Sequence, residues 1–529
     1  MKRATSIALI LRLPEKCVAK QTALYTALRE AIITHTIAPN RRLPSTREFA
    51  RAYGVSRGTA VIVYELLQAE GYLVTRRGAG TFVAPSLPDA RMVMGATGGA
   101  SPRAVLTDET VRAPAEHRAR LAVPFAPYLP ALDEFPISLW ARLTAKHARL
   151  VKPDLLGHGH AAGFPRLRAA IAAYLKSTRG IDCRLEQIVL TSSTQQSLVL
   201  CARLLTEPGE RVLIEDPGNL AAFAALRGAG LAMIPVPVDS SGMQIDADSR
   251  FDGQVRLAYV TPAHQRPTGA VMSEERQRGL LDWAAAHDAW IFEDDDESEF
   301  RYQGHPAPAL CALDKGGRVL YAGSFDKTLF PALCVSYMVV PPPLVDTFAR
   351  ASTLYGHNPP ILSQLVLCDF IESGHFVRHV RRMGECYRER RAALIDALKE
   401  RLDGCIEITH QPCGLGLAVE WKDERQARAA AAASGAGLVH LEPIASFQAG
   451  NAVPSGAVLG FASYTASVLR NAVERLARAV QDLSSGRLPV AGEAEAPRAD
   501  LWTFSELRSG GNSCRGRETE KLSRILCAT

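Results

Sequence analysis

No two of the eleven cysteines in this 529-residue chain are spaced as C-x-x-C, and none stands at a spacing that suits a metal or a disulfide framework. Their scatter excludes a zinc site and predicts reduced thiols in a cytoplasmic protein. Long apolar runs are also missing. Nothing spans a bilayer, and the short apolar stretch at 7–11 is cut by Arg12 before it could serve as a signal peptide. A large charge of one sign is absent too, the net value being only +6. That small total hides an asymmetry: residues 1–83 hold 13 Lys/Arg against 5 Asp/Glu, a net of +8, which leaves −2 for the rest. A basic front end on a near-neutral body predicts a polyanion partner for the front end alone. At this length two or three domains are expected, and 47% hydrophobic with 22% charged residues is ordinary for globular ones.

The front end reads as helices followed by a hairpin. Leu24, Leu28, Ala31 and Ile32 recur at helical spacing and Pro39-Asn40 breaks the run. Ser45 and Glu48 then form a capping-box pair opening a second helix, which carries Phe49, Ala50 and Tyr53 and stops at Gly54. Ser56 caps a third helix through Val61, Tyr64 and Leu67, ended by Gly71. Two helices joined by so short a turn match a helix-turn-helix with the third helix as reader. The stretches 72–75 and 81–83 alternate as strands around Arg76-Arg77-Gly78-Ala79-Gly80, a basic wing. A three-helix unit that merely packs is the plain alternative. On the DNA reading, Arg57 and Thr59 face the major groove. Ser45, Thr46 and Arg47, and equally Ser56, stand at helix starts whose free N–H groups suit phosphate. Arg76 and Arg77 neutralise phosphate or enter the minor groove.

The run LPSTREFARAYGVSRGTAVIVYELLQAEGYLVTRRGAGTFV resembles the winged helix of GntR-type bacterial repressors, through LPS-x-R, GVSR-x-T and EGYL…G-x-GTFV. The resemblance implies a dimer on a double-stranded operator.

From Pro85 periodicity disappears among Gly, Ala, Pro and Arg, so 84–123 is expected to be a flexible linker. The body, 124–485, alternates strands and helices, an α/β layered pattern. Within it Gly323-Ser324-Phe325-Asp326-Lys327-Thr328-Leu329-Phe330-Pro331 lies between two apolar strands, 319–322 and 335–340. A lysine on such a turn suits imine chemistry with an aldehyde, the anchoring mode of pyridoxal 5'-phosphate; a solvated loop lysine is the bland reading. Ser192-Ser193-Thr194-Gln195-Gln196 opens a helix where a phosphate would sit well, or is an ordinary cap. Strand 290–292 leads into Glu293-Asp294-Asp295-Asp296-Glu297, either a solvated acidic loop or the source of one buried carboxylate for a protonated pyridine nitrogen. Arginines 378, 381, 382, 388, 390 and 391 stud a long helix, expected to be a solvated or dimer-lining face. From Gly486 onward the chain is expected to be a disordered tail.

The body is similar to class I aminotransferases through GFPRLRAAIAAYLKSTRGI, LTSSTQQSLVLCARLLTEPGERVLIEDPG, YVTPAHQRPTG, EDDDESEFRY and GSFDKTLFPAL. Joined to the winged helix, it resembles the MocR-type transcriptional regulators, which implies a PLP-dependent transferase fold of type I behind an α+β winged helix. Carried over residue by residue, Lys327 falls on the Schiff-base lysine and Asp294 on the partner of the pyridine nitrogen. Ser193, Thr194 and Gln195 fall on the phosphate turn, and Ser324 lies near it. Five places depart from the family pattern: Asp296 stands for a tyrosine, Cys334 for a phosphate arginine and Asn219 for a ring-covering aromatic. His158 stands for another tyrosine, and Val458 for the arginine that binds substrate carboxylate. Arg266 precedes Pro267-Thr268-Gly269 as a possible compensating charge.

Three functions fit these residues. One is a regulator whose body senses a small amine or amino acid through pyridoxal phosphate on Lys327, without being an enzyme. The second is an active aminotransferase with a DNA reader attached. The third is a cofactor-free sensor or dimerisation module. A homodimer is expected in each, with no metal and no membrane partner.

Overall fold

The computed structural model describes residues 20–76, 79–85, 123–157, 159–251, 254–304, 308–356, 358–409, 412–450 and 455–484. Arg77, His158 and nearly all of the expected linker and tail lie outside these. The chain divides between Val105 and Leu106 into two compact units.

In the first unit, helices α1 (Lys20–Ile33), α2 (Thr46–Tyr53) and α3 (Arg57–Ala69) precede strands β1 (Leu73–Arg76) and β2 (Gly80–Val83). The capping box forms as expected: Ser45 Oγ accepts from Glu48 N at 3.3 Å, and Glu48 Oε2 accepts from Ser45 N at 2.8 Å. Gly54 closes α2 at φ +61°, a left-handed cap that a side chain would strain. Ser56 Oγ accepts from Thr59 N at 3.1 Å, so only three residues, Gly54 to Ser56, separate α2 from α3. Leu24, Leu28 and Ile32 of α1 meet Phe49, Val63, Leu67, Leu73 and Val83 in one core. The hairpin pairs antiparallel, with Arg76 opposite Gly80. Sequence reasoning took residues 39–40 only as a break. In the structure residues 40–43 run beside β2, Arg42 forming an isolated antiparallel bridge with Phe82, with Asn40 N donating to Val83 O at 3.0 Å and Leu43 N to Thr81 O at 2.9 Å.

The second unit is built on an eight-stranded sheet in the order β3-β10-β9-β8-β7-β4-β5-β6. The strands are β3 (Ile188–Thr191), β4 (Arg211–Asp216), β5 (Ala232–Asp239), β6 (Gly242–Met243), β7 (Val255–Val260), β8 (Trp290–Asp295), β9 (Val319–Ser324) and β10 (Ser336–Val339). Five of them, β5, β4, β7, β8 and β9, run parallel, and β10 is antiparallel to both β9 and β3. Such strands are buried on both faces and read as apolar runs; Val212, Leu213 and Ile214 are all fully buried. A four-stranded antiparallel sheet, β11 (Ile406–Ile408), β12 (Gly416–Trp421), β14 (Gly456–Gly460) and β13 (Glu442–Pro443), packs with the helices His375–Leu402 and Ala466–Ser484 around a separate core. Ligands of parallel α/β sheets bind beyond the carboxyl ends of the strands. Here those ends carry Asp294 on β8, Ser324 on β9, and the turn after β3 that opens the helix Thr194–Leu205.

Candidate functional site

The first unit holds its expected contact residues on the outside. Arg47, Arg57 and Arg76 are exposed, and Thr46 and Thr59 are half-buried. The Ser45 and Ser56 hydroxyls are engaged in capping, so these serines present helix starts rather than free side chains. Arg76 Nη2 donates to Asn40 Oδ1 at 3.2 Å and its guanidinium lies 4.8 Å from the centre of the Phe82 ring. The sequence reading missed Arg42, whose guanidinium borders Gly80 at the wing; a Cβ on that glycine would stand 3.1 Å from Arg42 Nε. The adjacent Arg41-Arg42 pair before a capped helix was the available signal.

In the second unit the acidic run is not a solvated loop. Strand β8 extends through Asp295, three residues further than apolar patterning suggests, and Glu293, Asp294, Asp295 and Glu297 are buried. Each carboxylate has a separate task. Glu293 accepts from the N–H groups of Leu310 at 2.9 Å and Cys311 at 2.7 Å. Asp295 Oδ2 takes Arg179 Nε and the Tyr321 hydroxyl, both at 2.6 Å. Asp296 takes Arg266 Nη2 at 2.6 Å, and Glu297 Oε2 takes Leu415 N at 2.8 Å, tying this turn to the antiparallel sheet.

Asp294 is held by neutral side chains rather than by a cation or backbone N–H groups. Its Oδ2 accepts from the Tyr259 hydroxyl at 2.7 Å, and that hydroxyl accepts in turn from Asn219 Nδ2 at 3.1 Å. Its Oδ1 is buried with no partner, as are Asp295 Oδ1 and Asp326 Oδ1. Burial, with the Asp296 charge added, pushes the Asp294 carboxyl up to about 7. A buried carboxylate oxygen left empty costs about 1–3 kcal/mol or more, and a protonated ring nitrogen is the kind of group that would fill it.

The other expected residues gather at the same sheet edge. Asp294 pairs with Ala322 in register, while Ser336 sits between Ser324 and Thr191. Lys327 Nζ lies 2.6 Å from Asp326 Oδ2 and 4.0 Å from Asp296 Oδ2. Burial alone would lower the Lys327 ammonium, but those two carboxylates outweigh it and hold the lysine protonated above its usual range. Ser324 Oγ accepts from Asp326 N at 3.1 Å and from Ser336 Oγ at 3.0 Å. Ser193 caps the helix Thr194–Leu205, its Oγ accepting from Gln196 N at 3.1 Å, so the Thr194 and Gln195 N–H groups lead its first turn. Gln196 Nε2, beside them, is a buried donor without a partner. The sequence reading had passed over this side chain.

The departures also take definite form. Cys334 is exposed, at φ +51°, and brings no cation. Asn219 is the N-cap of the helix Leu220–Gly228 as well as the donor to Tyr259, so it orders the Asp294 network instead of covering a ring. Val458 is buried with Ala418, Ile444 and Phe447, against which Tyr128 packs. Arg266 sits 3.8 Å from the centre of the Tyr128 ring and reaches Glu297 Oε1 at 3.5 Å in addition to Asp296. The arginine-studded helix is only in part a solvated face. Arg378, Arg381 and Arg388 are exposed, but Arg390 is buried on Asp133 at 2.9 Å, and Arg391 lies 5.4 Å from the Tyr302 ring centre. The residues present fit pyridoxal phosphate at the nitrogen and lysine ends, and the Ser193–Gln196 turn offers its phosphate neutral donors.

Among the described residues no group of three or more His, Cys, Asp or Glu could hold a metal ion, and no helix is long and apolar enough to cross a membrane. The family described as "Bacterial regulatory proteins, gntR family" matches residues 20–83, and "Aminotransferase class I and II" matches residues 134–476. The probable rhizopine catabolism regulatory protein MocR of Rhizobium meliloti is 39% identical over 483 residues, covering 90% of this chain and 97% of that protein. The HTH-type pyridoxine biosynthesis transcriptional regulator PdxR of Corynebacterium glutamicum is 30% identical over 469 residues, covering 88% and 97%. Among solved structures, Pyrococcus horikoshii kynurenine aminotransferase in complex with PMP superposes with a TM-score of 0.62 at 25% identity, covering 75% of this chain and 98% of that one. With a GntR-type reader in front of a fold-type I aminotransferase body, the chain belongs to the MocR-type transcriptional regulators.

Proposed function

We propose that the second unit senses a small amine or amino acid through pyridoxal 5'-phosphate held at Lys327, and that this governs how the first unit binds a double-stranded operator. The observation that carries the reading is the buried, unpartnered Asp294 Oδ1, set by the Tyr259–Asn219 network at the sheet edge that also bears Lys327. Asp294 would keep the ring nitrogen protonated, and Lys327 would anchor the aldehyde carbon. Ser193, Thr194 and Gln195, with Ser324 and Gln196 Nε2, would hold the phosphate. When bound, pyridoxal phosphate supplies an electrophilic carbon on an electron-withdrawing ring.

The chain's own part is to manage charge. Asp296 and Asp326 share the Lys327 ammonium, and Arg266 neutralises Asp296 from the other side. An incoming amine competes for those carboxylates. Glu297 carries the disturbance onward, because it touches Arg266 and also holds Leu415 at the start of the antiparallel sheet. Such a ligand shifts an equilibrium only by its different affinity for the two states.

At the operator, Arg57 and Thr59 would read base edges from α3. The helix starts at Ser45–Thr46 and Ser56, with Arg47, Arg76 and Arg77, would hold phosphates. Relatives of the aminotransferase fold support a homodimer, which suits a two-part operator, and a cytoplasmic location follows from that role. Absorbance tests the cofactor. Full-length protein given pyridoxal phosphate should gain a near-ultraviolet or visible band that Lys327→Ala abolishes; a colourless wild type would end the reading.

A further inference from the structure

A cavity of about 740 Å³, within the size of small-molecule sites, opens between the two sheets of the second unit. The carboxyl ends of β4 and β5 border it through Asp216 and Asp239, and β12 borders it through Ala418 and Glu420. None of Lys327, Asp294, Ser324 or the Ser193–Gln196 turn lines it. In the sheet, β7 separates β4 from the strand β8 that bears Asp294.

Among the described residues its charged lining is Asp216, Asp239, Arg301 and Glu420. Two of these are answered within the fold. Asp216 accepts from Ala449 N at 2.7 Å and Gly450 N at 2.9 Å, and Asp239 Oδ2 lies 2.9 Å from Arg276 Nη2. Arg301 and Glu420 are not answered. Arg301 Nε is buried with no hydrogen-bond partner. No described side chain pairs with its guanidinium, and the half-buried Glu420 carboxylate takes neither a hydrogen bond nor an ion pair. Gly304, at φ +72°, lies against the cation, where a Cβ would stand 3.3 Å from Arg301 Nη2. That turn covers the guanidinium without giving it an acceptor.

An arginine cannot shed its charge, and a buried donor left empty on a cation is costlier than a neutral one. Its planar fork suits a carboxylate. A ligand with a carboxylate alone would answer Arg301 but add a negative charge to a cavity that already holds Glu420 and Asp216. An ammonium alone would answer Glu420 and leave Arg301 Nε empty. A molecule with both groups pairs both residues and brings no net charge. The remaining wall includes Val238, Val271, Ala418 and Ile444, which suits an apolar frame between the two charges.

We propose that this cavity binds a small zwitterion on an apolar frame, its carboxylate on Arg301 and its ammonium on Glu420, at a site separate from Lys327. Arg301 follows β8 and Glu420 belongs to β12, so the ligand ties the two sheets together.

The test uses probes that cannot form an imine, so that pyridoxal phosphate at Lys327 captures none of them. N,N-Dimethylleucine is compared with isocaproate, which lacks the ammonium, and with N,N-dimethylisoamylamine, which lacks the carboxylate. A second set built on ε-dimethylaminocaproate holds the charges further apart. Each is titrated by calorimetry into full-length protein supplied with pyridoxal phosphate, and cofactor absorbance is read on the same samples. At least one zwitterion should bind at least about tenfold more tightly than both of its single-charge counterparts. Arg301→Gln should bring that zwitterion down to the affinity of the amine, and Glu420→Gln down to that of the acid, with melting temperature and cofactor band unmoved. Glu420 is half-buried, so its variant carries the test if Arg301→Gln lowers the melting temperature. Failure of every zwitterion at millimolar concentration overturns the proposal. So does an equal affinity for either single-charge counterpart, or binding that survives both substitutions. Zwitterion binding in protein that takes up no cofactor would end the pyridoxal phosphate reading and leave this one standing. A cofactor band without zwitterion binding would do the reverse.

Discussion

The two units place their working residues in opposite environments. In the winged helix Arg47, Arg57 and Arg76 are exposed, where a charge meets whatever it binds through water and salt. In the aminotransferase-like unit Asp294, Asp295 and Glu297 are buried, where the same kind of charge is governed by desolvation and by its immediate partners. One unit should therefore answer mainly to ionic strength and the other mainly to pH and to the loss of single partners. The contrast teaches that a regulator of this type can keep its reader tolerant and its sensor exacting.

The largest effect should come from breaking a buried pair. Arg179→Ala leaves Asp295 buried without its cation, and removal of one partner from such a pair costs about 3–5 kcal/mol. Hydrogen exchange on the full chain should show the loss across β8 and β9 with α1–α3 unchanged; equal loosening of both units would erase the distinction drawn here.

Operator binding should change next. Arg57→Ala is expected to weaken it by about 1–3 kcal/mol and Arg42→Ala by less, the latter with a shallower dependence on salt. Lys327→Ala should leave binding by the ligand-free chain intact. Wild-type affinity in Arg57→Ala, measured by fluorescence anisotropy, would contradict the placement of α3 as reader.

The pH response follows from Glu215. Its buried carboxyl is pushed up to about 7 by desolvation, against the hydrogen bonds of Thr261 and Gln265. The unfolded chain releases that proton at about 4.3. Between those values the folded state holds more protons, so this contribution to stability declines as pH rises from about 5 to 7. Glu215→Gln should flatten that slope in denaturant titrations of the second unit. An unchanged slope would show that other groups govern it.

The smallest effect belongs to Ser45→Ala. Loss of the cap should cost about 0.5–2 kcal/mol, read as faster hydrogen exchange in α2 alone.

Legibility followed the range of the interactions. The winged helix depends on neighbours in sequence: Ser45 with Glu48, Gly54 at a positive φ, and Ser56 with Thr59. Its helices and hairpin were readable for that reason, whereas the bridging of residues 40–43 to β2 was not, because the partner lies some forty residues away in sequence. In the second unit Lys327 and Asp294 were legible as motif residues. The end of β8 was not, because acidic residues inside a buried strand contradict any reading from polarity. They are tolerated there only because Arg179, Arg266, Tyr259 and the backbone N–H groups of Leu310, Cys311 and Leu415 come to meet them.

By itself the amino-acid order determined the two-part architecture, the capped helices, the wing and the lysine turn, since each is written in short-range spacing or in charge balance. Only the tertiary structure decided which carboxylate oxygens are left empty, that Arg266 is committed to Asp296 and Glu297, and that Asn219 serves the Asp294 network. Those outcomes depend on groups tens to hundreds of residues apart competing for one another in a dry interior, and no local pattern records who wins.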